Sequence, residues 1–239
     1  MRKYFALFIL VSLAFGACSI NMGTIEGNGV TGTRQQSFSR FTQLEVSGDF
    51  EVKLIPSTEH KIVVTADENI LPYIKIDQDG NTLKIRYKNN TSIRNKSDVK
   101  VVVYMETLRD IELAGSGKVV TASRFTSDEH MEFTIAGSGN LDLDVQSPDI
   151  EISIGGSGTA EMKGKTRNLE VNIGGSGDYK GQNLLSEDAT VSIGGSGTAK
   201  VHASIKLEAN IAGSGDIFYV GTPEVTKAIA GSGRVEALQ

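Results

Sequence analysis

Ile154-Gly155-Gly156-Ser157-Gly158 is the stretch that decides how this chain folds. Its centre, Gly-Ser-Gly, occurs seven times, starting at Gly115, Gly137, Gly156, Gly175, Gly195, Gly213 and Gly231, at intervals of 22, 19, 19, 20, 18 and 18 residues. Self-similarity at such a period marks a solenoid or related array, whose units bury their apolar faces only by stacking. Ahead of the copies run short alternating segments: Glu151-Ile152-Ser153-Ile154, Glu170-Val171-Asn172-Ile173 and Thr190-Val191-Ser192-Ile193. Period two predicts half-buried strands, and both periodicity and glycine content argue against helices. Behind a corner, Asn140-Leu141-Asp142-Leu143-Asp144-Val145 reads as a further strand. The glycines allow positive φ and close backbone approach, and the small serine can hydrogen-bond within the turn.

Two architectures satisfy this pattern. In an antiparallel meander each repeat is a hairpin and the corners line one rim. In a parallel β-solenoid each repeat is one coil. Tight hairpins usually turn on two residues such as Asn-Gly or Asp-Gly. An identical corner with matching apolar flanks is instead expected to stack on copies of itself, about 4.8 Å apart. The expectation is an all-β parallel β-helix, or β-solenoid, with roughly 18–22-residue coils of two or three short strands and Gly-Ser-Gly corners. Inward Ile, Val, Leu and Ala suit a chain with no Trp and 6% aromatics.

Residues 36–105 read as lead-in strands and 106–239 as the repeats. Phe50-Glu51-Val52-Lys53-Leu54 alternates and is stopped by Pro56. Lys61–Ala66 and Val99–Tyr104 read as strands, Ile74–Ile76 and Leu83–Tyr87 as a hairpin turning on Asp79-Gly80-Asn81, and Lys88–Asp98 as a polar loop. These strands would cap or extend one end of the stack, and Val235-Glu236-Ala237-Leu238 would close the other. The basic series Lys84, Arg86, Lys88, Arg94, Lys96 and Lys100 reads as a solvated face rather than a site for anionic headgroups or acidic glycans.

Met1–Ala17 has the parts of a signal peptide: Arg2 and Lys3, an apolar Tyr4–Phe15, and small Gly16-Ala17. The single cysteine, Cys18, follows directly. Phe15-Gly16-Ala17-Cys18 resembles the lipobox of bacterial lipoproteins, with Phe15 where Leu is more usual. The resemblance implies lipidation at Cys18 and a membrane anchor; an ordinary secretory signal is the alternative. Residues 1–17 are then a signal peptide, 18–35 a polar, Gly-rich tether and 36–239 the folded domain. The predicted location is the bacterial cell envelope, at the outer membrane. Ser19-Ile20-Asn21 gives no sorting signal that would choose a face. One cysteine excludes an intramolecular disulfide.

A net charge of -5 and a pI of about 5.3 give no basic field for nucleic acid. Only 4 Pro beside abundant Val/Ile alternation exclude a disordered glycine-rich polymer. Gly115-Ser116-Gly117-Lys118 lacks phosphate-loop spacing, and no helix is available for a dinucleotide fingerprint. Gly174–Asp178 approaches a calcium nonapeptide, but Tyr179 stands where that motif needs Asp. The residues after the corners (Lys118, Asn140, Thr159, Asp178, Thr198, Asp216, Arg234) form no repeating ligand set. His60, His130 and His202 lack zinc-ligand spacing, and the corner serines are not nucleophile elbows. Asp142 and Asp144 share a strand face; a catalytic pair and a solvated acidic face explain them equally. No catalytic, cofactor-binding or metal residue is assigned.

Val46-Ser47-Gly48-Asp49-Phe50-Glu51-Val52-Lys53-Leu54, Asn81-Thr82-Leu83-Lys84-Ile85 and the recurrent Ile-Ala/Gly-Gly-Ser-Gly together resemble the bacterial domain family named putative auto-transporter adhesin, head GIN domain. The resemblance spans roughly Phe38 to Leu238. It implies a right-handed β-helix-like fold, often on exported lipoproteins, and carries over no catalytic residues. The functional expectation is a non-enzymatic envelope lipoprotein, an adhesin or ligand-binding solenoid. Weak contacts at fixed spacing would add up on a polymeric partner, a polysaccharide or surface protein. Against sugar stacking, Gly137–Gly215 holds one aromatic, Tyr179. A polysaccharide lyase or hydrolase and a structural periplasmic scaffold are the alternatives. Oligomeric state is not written in the sequence.

Overall fold

A computed structural model of the chain describes residues 24–88 and 92–238. Each repeat is one coil of two strands, and successive coils stack strand on strand in parallel. Asp149–Gly156 pairs with Asn168–Gly175 and that with Asp188–Gly195, every residue opposite its equivalent, Gly156 beside Gly175 beside Gly195. On the other side of the corner, Thr159–Lys165 pairs with Asp178–Leu185. The result is a ten-stranded sheet, called here the first sheet, facing a twelve-stranded second sheet. Among the described residues there is no α-helix, only a three-residue 3-10 turn at Leu71–Tyr73.

Why glycine recurs at the corner is visible in its geometry. Gly175 has φ +140°, a backbone state that L side chains rarely adopt, and a Cβ there would lie 2.5 Å from the Gly156 carbonyl oxygen. The second glycine of the triplet is needed for space alone: a Cβ on Gly177 would lie 2.8 Å from the Gly158 oxygen. The serine contributes its backbone, each N–H bonding the coil before, as from Ser157 to Gly137 O (2.9 Å) and Ser176 to Gly156 O (2.9 Å). Every corner amide used this way is unavailable to a ligand.

The core lies between the sheets as columns of like residues. Ile135, Ile154, Ile173, Ile193 and Ile211 form one column, all nearly inaccessible to water. Facing columns mix sizes. Tyr179 is buried between Ala160 and Ala199 in register, and its ring fills the space a Cβ on Gly181 would need. Filling large against small holds interior density without voids.

The uneven intervals have local causes. The 20-residue coil carries a bulge in which Gly181-Gln182 oppose the single Met162. In the 22-residue coil one strand is broken into Lys118–Thr121 and Phe125–Thr126, both pairing with Asn140–Gln146.

The corner opposite Gly-Ser-Gly has its own repeat. Ser147, Thr166 and Ser186 are buried there. The Ser147 hydroxyl reaches Glu129 O (2.7 Å) and Asp149 O (3.0 Å), and Thr166 reaches Pro148 O (3.1 Å) and Asn168 O (2.9 Å). Ser186 donates to His202 O. These hydroxyls satisfy carbonyls that the tight turn removes from the ladder.

The lead-in region is itself coiled. Gln43–Gly48 and Glu51–Pro56 pair with the first repeat, placing Gly48 (φ +139°) beside Gly115 as an additional corner. Thr82–Tyr87 and Lys100–Met105 then stack outside that coil, joined by a loop in place of a corner. Lys61–Asp67 and Ile74–Asp79 add antiparallel strands that cap this end. Thr31–Ser37, partly in the expected tether, extends the cap by pairing with Lys61–Asp67, and Thr24–Glu26 pairs with Ser92–Arg94 inside the expected polar loop. Both segments are largely exposed, so hydrophobic alternation gave no sign of them.

Asp67 latches this cap. Its carboxylate is buried and accepts the Lys96 N–H (2.9 Å), the Ser97 N–H (3.4 Å) and the Ser97 hydroxyl (3.0 Å). The Lys96 amide leads the bonds that hold its pKa below the usual carboxylate range, against the opposing effect of desolvation. A lowered native pKa gives a contribution to stability that is complete above the unfolded value, about 3.9. It is lost as pH falls through the native value. Limited proteolysis should therefore cut Thr24–Ser37 in the native chain only below about pH 4, and in Asp67→Ala already at neutral pH. Equal resistance of the two at pH 7 would contradict the latch.

The far end is open. Glu224–Gly231 is the last strand of the first sheet and is exposed along most of its length, with Ile229 40% accessible. Arg234–Ala237 pairs with Asp216–Val220 but leaves that end uncovered. Register places Lys227 beneath Ala209, in an inward column, where a charge discourages edge-to-edge pairing.

Candidate functional site: the outer faces of the stack

With its core filled, the molecule offers chemistry only on its outer faces. On the first sheet, Asp110, Glu132, Glu151 and Glu170 occupy one outward column in consecutive strands, and Glu208 continues it after Thr190. In-register parallel stacking sets their backbones about 4.8 Å apart. Asp149 and Asp188 lie on the same face one step toward the strand starts. Next to the corner, Ala114, Ala136, Gly155, Gly174, Gly194 and Ala212 form a flat shelf of small residues. Asn172 Nδ2 donates to Glu170 Oε1 (3.0 Å), tying part of the acidic column in place.

The residues singled out in the sequence do not converge. Cys18 and the whole of 1–17 lie outside the described residues. His60 packs edge-on to Phe41 (5.5 Å between centroids), while His130 and His202 sit on other coils. Among the described residues no group of three or more His, Cys, Asp or Glu could hold a metal ion. Asp144 is paired with Arg124 (2.6 Å), and Asp142 lies beside Glu161 of the next coil. Tyr179, at the place where a calcium motif would need Asp, is inside the core. The basic series is dispersed and half of it is paired: Lys84 meets Glu45 (3.2 Å), Arg86 meets Asp77 (3.0 Å), and Arg94 meets Glu26 (3.4 Å).

The irregular coil leaves a polar cleft of about 500 Å³ beside Arg40, Asn81, Arg109, Ser127 and Glu129. Its guanidiniums are already engaged, Arg109 with Glu129 (3.2 Å) and Arg40 with Glu106 (4.0 Å). No aromatic ring lines it.

The Tyr179 hydroxyl is buried without a hydrogen-bond partner, and burial alone pushes its pKa up. An unsatisfied buried hydroxyl costs about 1–3 kcal/mol. Tyr179→Phe should raise Tm by about 2–4 °C, for a gain near 1 kcal/mol in a domain of this size. A lowered Tm would mean that the hydroxyl has a partner.

The family model described as "Putative auto-transporter adhesin, head GIN domain" matches residues 40–223. No curated protein matches the chain significantly. Among solved structures, a putative adhesin from Bacteroides fragilis superposes with a TM-score of 0.83 at 21% identity, covering 90% of this chain and 100% of its own. A structure called a putative lipid binding protein, from Parabacteroides distasonis, superposes at 0.74 with 28% identity, covering 91% and 100%. A putative adhesin from Parabacteroides merdae gives 0.68 at 23% identity, covering 90% and 99%. The descriptions of the family and of these structures are of adhesins or a lipid binder, not of enzymes. Among the described residues no helix is long and apolar enough to cross a membrane.

Proposed function

The chain belongs to the auto-transporter adhesin head GIN-domain family, and from that premise we propose that it is a non-enzymatic envelope lipoprotein, anchored through Cys18, that binds an extended partner along its first sheet. The observation that carries this reading is the in-register column Asp110, Glu132, Glu151 and Glu170. One weak contact repeated at constant spacing gains avidity on a partner whose own groups repeat. The sign of the column selects that partner. Like charge opposes an acidic polysaccharide, whereas a surface protein rich in Lys and Arg is attracted and steered.

The test is adherence of cells carrying the chain to a surface coated with a basic polypeptide. Native cells should adhere on the order of tenfold better than cells with Glu132→Gln, Glu151→Gln and Glu170→Gln together, and the difference should shrink with salt. Cys18→Ala should release the protein from the cell. Equal adherence of native and triple-variant cells would overturn the binding face.

A further inference from the structure

Where the second sheet meets the cap, its outer face gathers lysines around a floor of valines. Glu51–Pro56, Lys100–Met105 and Lys118–Thr121 run side by side there. Register puts Val63, Val102, Lys53 and Val120 in one outward row, and Thr65, Lys100, Glu51 and Lys118 in the next. Lys53, Lys100 and Lys118 are exposed, and the three valines are half-buried. Among the described residues these three lysines enter no ion pair. A shallow groove of about 300 Å³ with mainly apolar walls runs between them. Beside it Lys61 lies over the Tyr104 ring, 4.6 Å from the centroid. Toward the middle of the stack the first row continues through Asp142 and Glu161, which separate this patch from Lys180 and Lys200.

We propose that this basic, valine-floored face lies against anionic phospholipid headgroups and sets how the solenoid stands on its bilayer; the proposal rests on the anchor reading above. Three observations select a lipid surface as the occupant. The patch carries net positive charge, three lysines to the one Glu51 between them, on a chain of net charge -5. Lysines ringing short apolar side chains match the headgroup boundary, where stems rest on the apolar floor and ammonium groups reach phosphates. The chain enters the described fold at the same cap, Thr31–Ser37 being the outermost strand of this very sheet, and Cys18, the lipidation site of the anchor reading, lies just upstream in sequence. A lipid tail alone holds a protein near a membrane without orienting it; a basic patch supplies a second attachment. With this face down, the acidic column of the opposite sheet points away from the bilayer and toward a partner.

Each lysine brought to an anionic bilayer strengthens attachment roughly fivefold. The test is acetylation footprinting of the full chain on vesicles of phosphatidylcholine alone and with about a third phosphatidylglycerol. Lys53, Lys100 and Lys118 should react at least about threefold more slowly on the anionic vesicles, with Lys180 and Lys200 of the same sheet unchanged. The protection should vanish in about 1 M salt, where the Debye length is about 3 Å. A chain that floats with the vesicles while all five lysines stay equally reactive overturns the proposal and leaves the anchor reading standing. A chain that floats on neither vesicle overturns both. Protection that appears without vesicles as protein concentration rises overturns it in favour of a second copy covering the face.

Discussion

Gly175→Ala should destabilise the domain by about 3 kcal/mol or more, while Gly174→Ala, one residue earlier, should be neutral or slightly stabilising. At Gly175 the new methyl meets two obstacles: φ is +140°, and the Gly156 carbonyl oxygen lies 2.5 Å from where Cβ must go. Holding a non-glycine residue in such a region costs about 1–3 kcal/mol before any clash. The obstructing atom is backbone in the next coil, so relief requires opening the stack. At Gly174 nothing stands within 4 Å of the added Cβ. The same column already carries Ala114, Ala136 and Ala212 in other coils. Alanine in a strand also avoids the entropy that glycine loses on folding, about 0.5–1 kcal/mol. Thermal unfolding separates the pair: about 6–12 °C lost for Gly175→Ala and no loss for Gly174→Ala. Equal effects at both would mean that glycine serves flexibility, not stacking.

Ile173→Asp should prevent stable folding, and Ile229→Asp, in the same inward column, should leave the protein folded. Ile173 is 2% exposed, between Ile154 and Ile193, with coils on both sides. Burying a carboxylate there without a partner costs several kcal/mol beyond the lost apolar contacts, comparable to the whole stability of a domain. Ile229 is 40% exposed on the open end and has only Ile211 beside it. Its carboxylate would remain in water. In a solenoid each coil answers chiefly to its neighbours, so one substitution has a large cost mid-stack and a small one at the end. Soluble yield and far-UV circular dichroism of the two variants decide this. A native-like Ile173→Asp protein would contradict a closed, dry core.

The parts of this fold legible in the sequence were those that side chains repeat. Gly-Ser-Gly marks a place where two backbones come too close for Cβ atoms, so the constraint is printed in every coil. The opposite corner is also printed, though more faintly. Ser147, Thr166, Ser186, Ser204 and Thr222 each stand nine residues ahead of a corner glycine. A search for hydroxyl periodicity would have found them; hydrophobic alternation cannot. The additional corner at Gly48 escaped because Phe50 stands where later corners have their second glycine. Phenylalanine fits because the next coil outward closes through a loop rather than a corner, and its ring packs against Tyr87, 4.6 Å between centroids. Nor does chain order reveal that Thr82–Tyr87 stacks outside Gln43–Gly48, since that choice depends on which edge remains free. Thr31–Ser37 is held largely by backbone bonds, which any sequence without proline can make.

The outer faces were legible only once register was known. Glu132, Glu151 and Glu170 are ordinary acidic residues in a linear reading; parallel in-register pairing makes them a column. Lys53, Lys100 and Lys118 are far apart in sequence and become neighbours because the strand carrying Lys53 is inserted between those carrying the other two. Both proposals for this protein therefore depend on coils stacking in strict register.

That register is tested most directly by removing one coil. Deleting Ser138–Gly156, 19 residues, joins Gly137 to Ser157, restores a Gly-Ser-Gly corner and keeps Tyr179 between Ala160 and Ala199. Deleting only Ser138–Gln146 removes one strand of the second sheet and strands its neighbours without partners. The measurement is cooperative thermal unfolding followed by far-UV circular dichroism. Stacked coils predict that the whole-coil deletion folds, with native strand content per residue and a modestly lower Tm, while the half-coil deletion loses its transition. A whole-coil deletion that fails to fold, or a half-coil deletion that folds as well, would contradict the account.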